Sequence, residues 1–193
     1  SEIILAHSRA DVAALNDKVR AALRAEGALG PDVKVNVREQ IRDAEGAVIE
    51  RAKHAVFAEG DQVLFTKNDK QLGVQNGAVG RVQAIAENGA LDLTMPDGRS
   101  IAISIRDYNH LALGYALTVH KAQGSEYPAV VLALHGSHGL MLRRNLFYTA
   151  ITRAKRFLCV VGTHDAWRRA ASNDRGDDRN SALATRLAAE REP

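Results

Sequence analysis

Two hydrophobic periods alternate along the chain. Ile3-Ile4-Leu5-Ala6 is a short apolar run of the kind that forms a buried strand. Ser8-Arg9-Ala10-Asp11 follows with a capping-box pattern, a hydroxyl and a carboxylate placed to satisfy the first free amides of a helix. Val12, Leu15, Val19, Ala22 and Leu23 then recur at helical spacing, and Gly27 supplies a stop. Strand, tight turn and helix make an α/β unit.

From about Asp61 to Ile105 the period is two. Leu91, Leu93 and Met95 alternate with polar residues, as do Ile101, Ile103 and Ile105, and the turn signals Asn76-Gly77, Asn88-Gly89 and Asp97-Gly98 are regularly spaced. This predicts a small antiparallel barrel with a thin core that leans on its neighbours. The charged stretch before it, from Pro31, reads as an extended connector through Val33, Val35 and Val37 with a hairpin or helix after it.

After Tyr108 the α/β character returns. Ala129 to Leu134 and Phe157 to Val161 read as strands buried on both faces of a parallel sheet. Between them Phe147, Ala150, Ile151 and Ala154 mark one face of a helix. Asn173 to Asp178 reads as a polar loop, and Ser181 as the cap of a last amphipathic helix through Leu183 and Leu187. Residues 1–30 and 110–193 thus form one α/β parallel-sheet domain, 31–57 a connector and 58–109 a small antiparallel β insert.

Composition narrows the class. With 193 residues, 46% hydrophobic and 25% charged, the chain buries a core and is neither disordered nor fibrous. Its longest apolar runs, such as Ala129 to Leu134, fall far short of the roughly 18 to 20 residues of a membrane span. An acid at position 2 does not suit a signal peptide, and the absent initiator Met indicates a chain processed or cut from something longer. Cys159 is the single cysteine, which excludes an internal disulfide or a cysteine-rich zinc site and fits a reducing cytoplasm.

The net charge of +3 is unevenly placed. Residues 1–109 hold 14 basic and 16 acidic side chains, residues 110–193 hold 12 and 7. Seven of those bases lie between Arg143 and Arg169 against one acid, Asp165, a footprint that suits a phosphate-bearing partner and equally a solvated basic face.

Two segments concentrate the candidate chemistry. Gly114 to Glu126 places Thr118, Lys121, Gln123 and Ser125, all able to bind phosphate oxygens, around Gly124, directly before a buried strand. In open α/β sheets ligands gather at strand ends, although a solvated helix end would read the same way. Asn145 to Arg156 reads as a helix carrying Thr149, Thr152, Arg153, Lys155 and Arg156 toward its C-terminal end. Arg153 has the fork that neutralises charge on a transferred phosphoryl group, or simply complements the helix dipole. Arg9, in a first helical turn, opposes the dipole, which favours an anion contact.

These residues resemble a known family. Gly114-Tyr115-Ala116-Leu117-Thr118-Val119-His120-Lys121-Ala122-Gln123-Gly124-Ser125-Glu126 is similar to motif V of superfamily 1 helicases of the RecD-like branch. Asn145-Leu146-Phe147-Tyr148-Thr149-Ala150-Ile151-Thr152-Arg153-Ala154-Lys155 is similar to their motif VI, and Ile3 to Asn16 to motif IV. Phe57 to Val63 with Asn76 to Gly80 resembles the SH3-like insert of RecD-like helicases and conjugative relaxase-helicases.

The resemblance implies an α/β RecA-like (P-loop NTPase-type) motor domain, the second of two, interrupted by a small SH3-like antiparallel β-barrel. It assigns Arg153 as the arginine finger, Arg9 as a second phosphate contact, and Gln123, Gly124 and Glu126 to the nucleotide. Thr118, His120 and Lys121 would meet single-stranded DNA, as would Asn68, Lys70 and Asn76 of the insert. ATP and Mg²⁺ are the implied cofactors and an N-terminal RecA-like domain, in cis or in trans, the implied partner. No G-x-x-x-x-G-K-[ST] occurs in the 193 residues, nor a matching acidic strand end. By itself the chain is therefore expected to turn over no ATP. The alternative is a stand-alone module that binds nucleic acid or protein without ATPase activity.

Other chemistries find little support. His135-Gly136-Ser137-His138 lacks a nearby cysteine or carboxylate, so no metal site is expected. His7 and His110 read as structural, Trp167 as a packing residue, and no G-x-S-x-G elbow anchors a hydrolase triad. Nine aromatic residues are too few for an RNA-binding sheet built on stacking.

Overall fold

A computed structural model describes residues 2–135 and 144–173. The expected polar loop beyond Asn173, the last helix around Ser181, the basic residue Arg143 and the second histidine of the 135–138 pair lie outside the described residues.

Strand β1 (Glu2–Ala6) is followed by helix α1 (Arg9–Ala25). The capping box forms as expected: the Asp11 N–H donates to Ser8 Oγ at 3.0 Å while the Asp11 carboxylate accepts from the Ser8 amide at 3.3 Å. At the other end the Ala28 and Gly27 amides donate to the carbonyls of Leu23 and Arg24, the paired bonds of a Schellman stop. The apolar stripe of α1 is only half-buried. Its buried residue is Asn16, with consequences for the site below.

The region expected to be a connector is a hairpin from its first residues. Strands β2 (Val33–Arg42) and β3 (Val48–Phe57) pair antiparallel over ten residues, from Val33 opposite Phe57 to Arg42 opposite Val48. Val35, Val37 and Phe57 sink into a core, whereas Val48 and Ile49 near the tip stay exposed. Glu39 pairs with Arg51 and Lys53 across the strands, and Glu50 with Arg38 and with Lys67 of the neighbouring sheet.

That sheet has five antiparallel strands: β4 (Gln62–Phe65), β5 (Val79–Ile85), β6 (Leu91–Thr94), β7 (Ser100–Ile103) and β8 (Leu111–Leu113), in the order β7-β6-β5-β4-β8. Leu91, Leu93 and Ile103 face its interior beside Phe65 and Val63, as the two-residue period requires. Strand β8 pairs with β4 beyond residue 109, the expected edge of the insert.

The chain then returns to the parallel sheet. Strands β9 (Ala116–Thr118), β10 (Tyr127–Leu134) and β11 (Ala154–Gly162) join β1 in the order β11-β10-β1-β9, all parallel. Val130 and Leu132 of β10 are buried, with Leu134 nearly so. Among the described residues the expectation that Phe157 to Val161 is covered on both faces does not hold: β11 is an edge strand with one neighbour there, and Phe157 and Val161 are 59% and 55% exposed.

Helix α2 (Arg144–Ile151) is shorter than its periodicity suggests, because Thr152 and Arg153 form a turn and Ala154 already pairs in β11. Lys155 and Arg156 therefore lie on a strand. Helix α3 (His164–Ser172) packs through Ala166 and Ala170, leaving Trp167 47% exposed beside the His164 ring rather than in the core. No described helix is long and apolar enough to cross a membrane.

Two apolar clusters result, one on the parallel sheet and one between hairpin and antiparallel sheet. A buried polar joint connects them. Asp61, fully buried, accepts from Arg20 Nε of α1 at 3.0 Å, the Tyr115 hydroxyl at 2.6 Å and the Ala58 amide at 2.7 Å. The Gln62 side-chain amide donates to the carbonyls of Glu2 and Gly114 at 3.0 and 2.8 Å. Gly114 is required at this crossing: a Cβ there would stand 2.8 Å from the Val63 carbonyl carbon.

Candidate nucleic-acid and nucleotide interface

Parallel register puts Ala6 beside Thr118, so the start of α1 and the end of β9 share one end of the sheet. Asn16 fixes this end. Its Oδ1 accepts from the Tyr115 and Ala116 amides at 3.0 and 2.9 Å, and its Nδ2 donates to the Ala116 carbonyl at 3.3 Å. A polar residue in an apolar stripe thereby clamps the helix to the short strand that leads into Thr118.

A turn follows, in which the Lys121 amide donates to the Thr118 carbonyl at 3.0 Å and to its hydroxyl at 3.2 Å. Arg9, Thr118, His120 and Lys121 line a groove of ≈ 960 Å³ between α1 and the hairpin, which Asn76 of the insert also borders. Burial lowers the Lys121 ammonium below the ordinary lysine pKa, and the nearby Arg9 charge lowers it further. Two cations held together against their own repulsion favour an anion between them.

At the other end of the sheet the same segment finishes as Gln123, Gly124, Ser125 and Glu126. Gln123 and Gly124 are exposed. Glu126 pairs with Lys155 of β11 at 3.1 Å. Arg153 donates from Nη1 to the Ser125 carbonyl at 3.1 Å, from Nε to the Thr149 carbonyl at 3.1 Å and from Nη2 to the Thr152 hydroxyl at 3.1 Å. Its own carbonyl accepts from the Tyr127 amide at 2.8 Å.

The sequence-derived candidates thus separate into two groups. Arg153 and Glu126 lie at the start of β10, and Gln123 and Gly124 are in the exposed turn before it, where the Gln123 amide donates to the His120 carbonyl at 3.3 Å. Arg9 does not join them: Arg153 is level with Tyr127, whereas Arg9 follows Ala6, which sits near the level of Ala133, about 20 Å away along the strands. Asn76 meets the groove, and its amide donates to Asn68 Oδ1 at 2.7 Å, so Asn68 braces the same loop. Lys70 is exposed and does not border the groove.

Several contributors escaped the sequence reading. Arg38, Lys53 and His54 of the hairpin also border the groove, and Asp61, Arg20 and Asn16 hold its framework. A polar Asn at a stripe position was the legible signal for Asn16; the hairpin cations had none, because their approach to α1 depends on how the hairpin packs. Among the described residues no group of three or more His, Cys, Asp or Glu side chains is placed to hold a metal.

The architecture and the comparisons agree. Residues 113–161 match the UvrD-like helicase C-terminal domain. The chain therefore carries a UvrD-like helicase C-terminal domain over these residues, on a RecA-like parallel sheet interrupted by antiparallel ones.

Its relatives are helicases of the RecD type and conjugal transfer proteins. It is 39% identical over 165 residues to the ATP-dependent RecD2 DNA helicase of Deinococcus radiodurans, covering 85% of this chain and 22% of that protein. To the probable conjugal transfer protein TraA of Sinorhizobium fredii it is 37% identical over 161 residues, covering 82% and 13%. Unliganded Pif1 from Bacteroides shares the fold with a TM-score of 0.60 at 21% identity, over 100% of this chain and 46% of that one. Candida albicans Pif1 does so with a TM-score of 0.60 at 17% identity, over 98% and 50%. The chain spans under a quarter of the length of the two curated relatives.

Proposed function

We propose that this chain is the second motor half of an ATP-dependent DNA helicase working in the cytoplasm, with single-stranded DNA in the groove and a nucleotide at the start of β10. The observation that carries this reading is the path of Thr118 to Glu126, one continuous segment that lines the groove at its first residues and meets Arg153 at its last.

At the groove end, Thr118, His120 and Lys121 take phosphates of the strand, joined by Asn76 with Asn68 behind it. The separation of Arg9 from Arg153 along the strands supports reading the Arg9 phosphate contact as one to the strand rather than to the nucleotide. Lys70 has the weakest claim to contact. The hairpin forms the wall opposite α1, and the antiparallel insert, in this reading an SH3-like module, borders the groove beside it at Asn76.

At the nucleotide end, the chain contributes donors. Arg153 has a rigid planar fork already aimed along the edge of the 118–126 segment, which fits a phosphate group arriving there. Gln123 and the Gly124 backbone would approach the nucleotide, and Glu126 its ribose. A triphosphate with Mg²⁺, held mainly by the N-terminal RecA-like domain in cis or in trans, supplies the hydrolysable bond. Arg153 then neutralises charge on the transferred group, and opening and closing between two such domains becomes steps along the strand.

The test is a titration of fluorescent oligothymidylate against salt. The expected logarithmic slope against salt is about −0.7 for each phosphate contact, with Lys121→Ala making it shallower by about one contact. Binding that ignores salt overturns the reading.

A further inference from the structure

Tyr127 touches both the arginine and the insert. Its amide donates to the Arg153 carbonyl at 2.8 Å, and its hydroxyl donates to the Gly77 carbonyl at 3.2 Å, in the turn next to Asn76 on the groove wall. The ring is 3% exposed. Ser125 lies alongside: its carbonyl accepts from Arg153, and its Oγ would stand 3.2 Å from a Cβ on Gly77, whose φ of +94° suits glycine. From Gly77 the contacts run on through Asn76 to Asn68. A chain of direct contacts therefore connects Arg153 to the groove wall by way of the insert, alongside the 118–126 segment, whose Lys121 carbonyl would also stand 3.4 Å from a Cβ on Gly77.

We propose that Tyr127 is a positioning residue that couples Arg153 to the Asn76-Gly77 turn, so that the state of the arginine sets how the insert grips a strand in the groove. When the Arg153 guanidinium leaves the Ser125 carbonyl for a phosphate, that carbonyl loses a charged donor and the 125–127 corner relaxes. The Tyr127 hydroxyl is buried away from water, so its bond to Gly77 is carried along or left unmade at a cost. Gly77 packs on Ser125 and follows. Coupling of this kind is reciprocal: a strand against Asn76 changes the hold on Arg153. The gripping half of the proposal rests on the groove reading above; the physical link between Arg153 and Gly77 does not.

The experiment uses the 193-residue chain. Backbone amide resonances of Asn68, Asn76 and Gly77 are compared with and without Arg153→Ala, in the parent and in Tyr127→Phe, which keeps the ring and removes the hydroxyl. Arg153→Ala is expected to move Asn76 and Gly77 in the parent and to leave them nearly still in Tyr127→Phe. In the same double-mutant cycle, Arg153→Ala changes oligothymidylate affinity about fivefold in the parent and negligibly in Tyr127→Phe.

Equal resonance shifts in both backgrounds, or none in the parent, overturn the proposal. Absence of oligothymidylate binding to the parent overturns the groove reading, while the resonances still decide the link. Should Tyr127→Phe fail to fold, Gly77→Ala replaces it: movement of the Arg153 Nε resonance supports the coupling, and an unmoved one overturns it.

Discussion

Arg153 donates to the carbonyl of Ser125, 28 positions earlier in the chain, while its Nε caps the Thr149 carbonyl at the end of α2. One guanidinium thus holds together the two segments that carry most of the candidate chemistry. It shares the Thr149 carbonyl with the Thr152 hydroxyl, which donates to it at 3.0 Å. In the proposed function, a phosphate has to displace these bonds to claim the arginine.

Arg153→Ala is expected to lower stability by only about 1 kcal/mol, as for loss of a partly exposed cap, measured by urea unfolding. Its effect on turnover is far larger. Supplied with the first motor domain, the variant should lose about 10³-fold or more of DNA-stimulated ATP hydrolysis. The 193-residue chain alone should show none, and steady turnover abolished by this substitution would contradict that expectation.

If Lys121 contacts the strand as proposed, DNA affinity is expected to be sensitive to alkaline pH. Burial and Arg9 favour the neutral amine, so the free chain discharges Lys121 at a lower pH than an ordinary lysine. Phosphate favours the ammonium and raises its pKa again. Affinity should therefore fall as pH rises through the free-state pKa, before ordinary lysines titrate, and Lys121→Arg should flatten that fall. An anisotropy titration at stepped pH reads the difference; identical profiles count against Lys121 as a strand contact.

Asn16→Leu tests the clamp on β9. The change leaves the Tyr115 and Ala116 amides without their acceptor in a buried place. A loss of about 2 to 4 kcal/mol is expected in urea unfolding. Hydrogen exchange at the Tyr115 and Ala116 amides should accelerate beyond the global effect; uniform acceleration would mean that Asn16 contributes bulk stability alone.

Asp61→Asn removes the charge that holds Arg20 in the joint between α1 and the insert. Arg20 keeps its partly exposed pair with Asp32 at 2.6 Å, so the expected loss lies below the about 3 to 5 kcal/mol of a buried charge left alone. The same joint responds to base. Burial and then the Asp61 carboxylate raise the Tyr115 pKa well above its usual 10.0, and burial pushes Tyr108 up to about 12. Both hold their protons more tightly when folded, so their contribution is complete below pH 10.0 and is lost as pH rises through the folded values. Thermal melting should decline across that window, less steeply in Tyr108→Phe.

Local patterns determined the elements. The Ser8–Asp11 cap, the α1 stripe, the alternation of Leu91 and Leu93, and the apolar run at Val130 and Leu132 all appear where their periods place them, because neighbours in sequence decide such interactions. The resemblance of Gly114 to Glu126 and Asn145 to Lys155 to known helicase motifs pointed to the helicase class. Helix α2 ended early because Ala154 was claimed by pairing with Tyr127, and β11 was left open because, among the described residues, only one strand lies beside it. Neither competitor is visible in a local window.

The site divided in the same way. The residue types at Thr118, Lys121 and Arg153 announced phosphate chemistry, since few side chains can perform it. Their arrangement was settled by parallel register, which carried Arg9 to the groove and left Arg153 at the far end of the strands. The sequence determined the chemistry and the secondary structure; the tertiary structure alone decided which charges share a space, because contacts such as Asn16 with Ala116, Arg20 with Asp61 and Tyr127 with Gly77 join residues 41 to 100 positions apart.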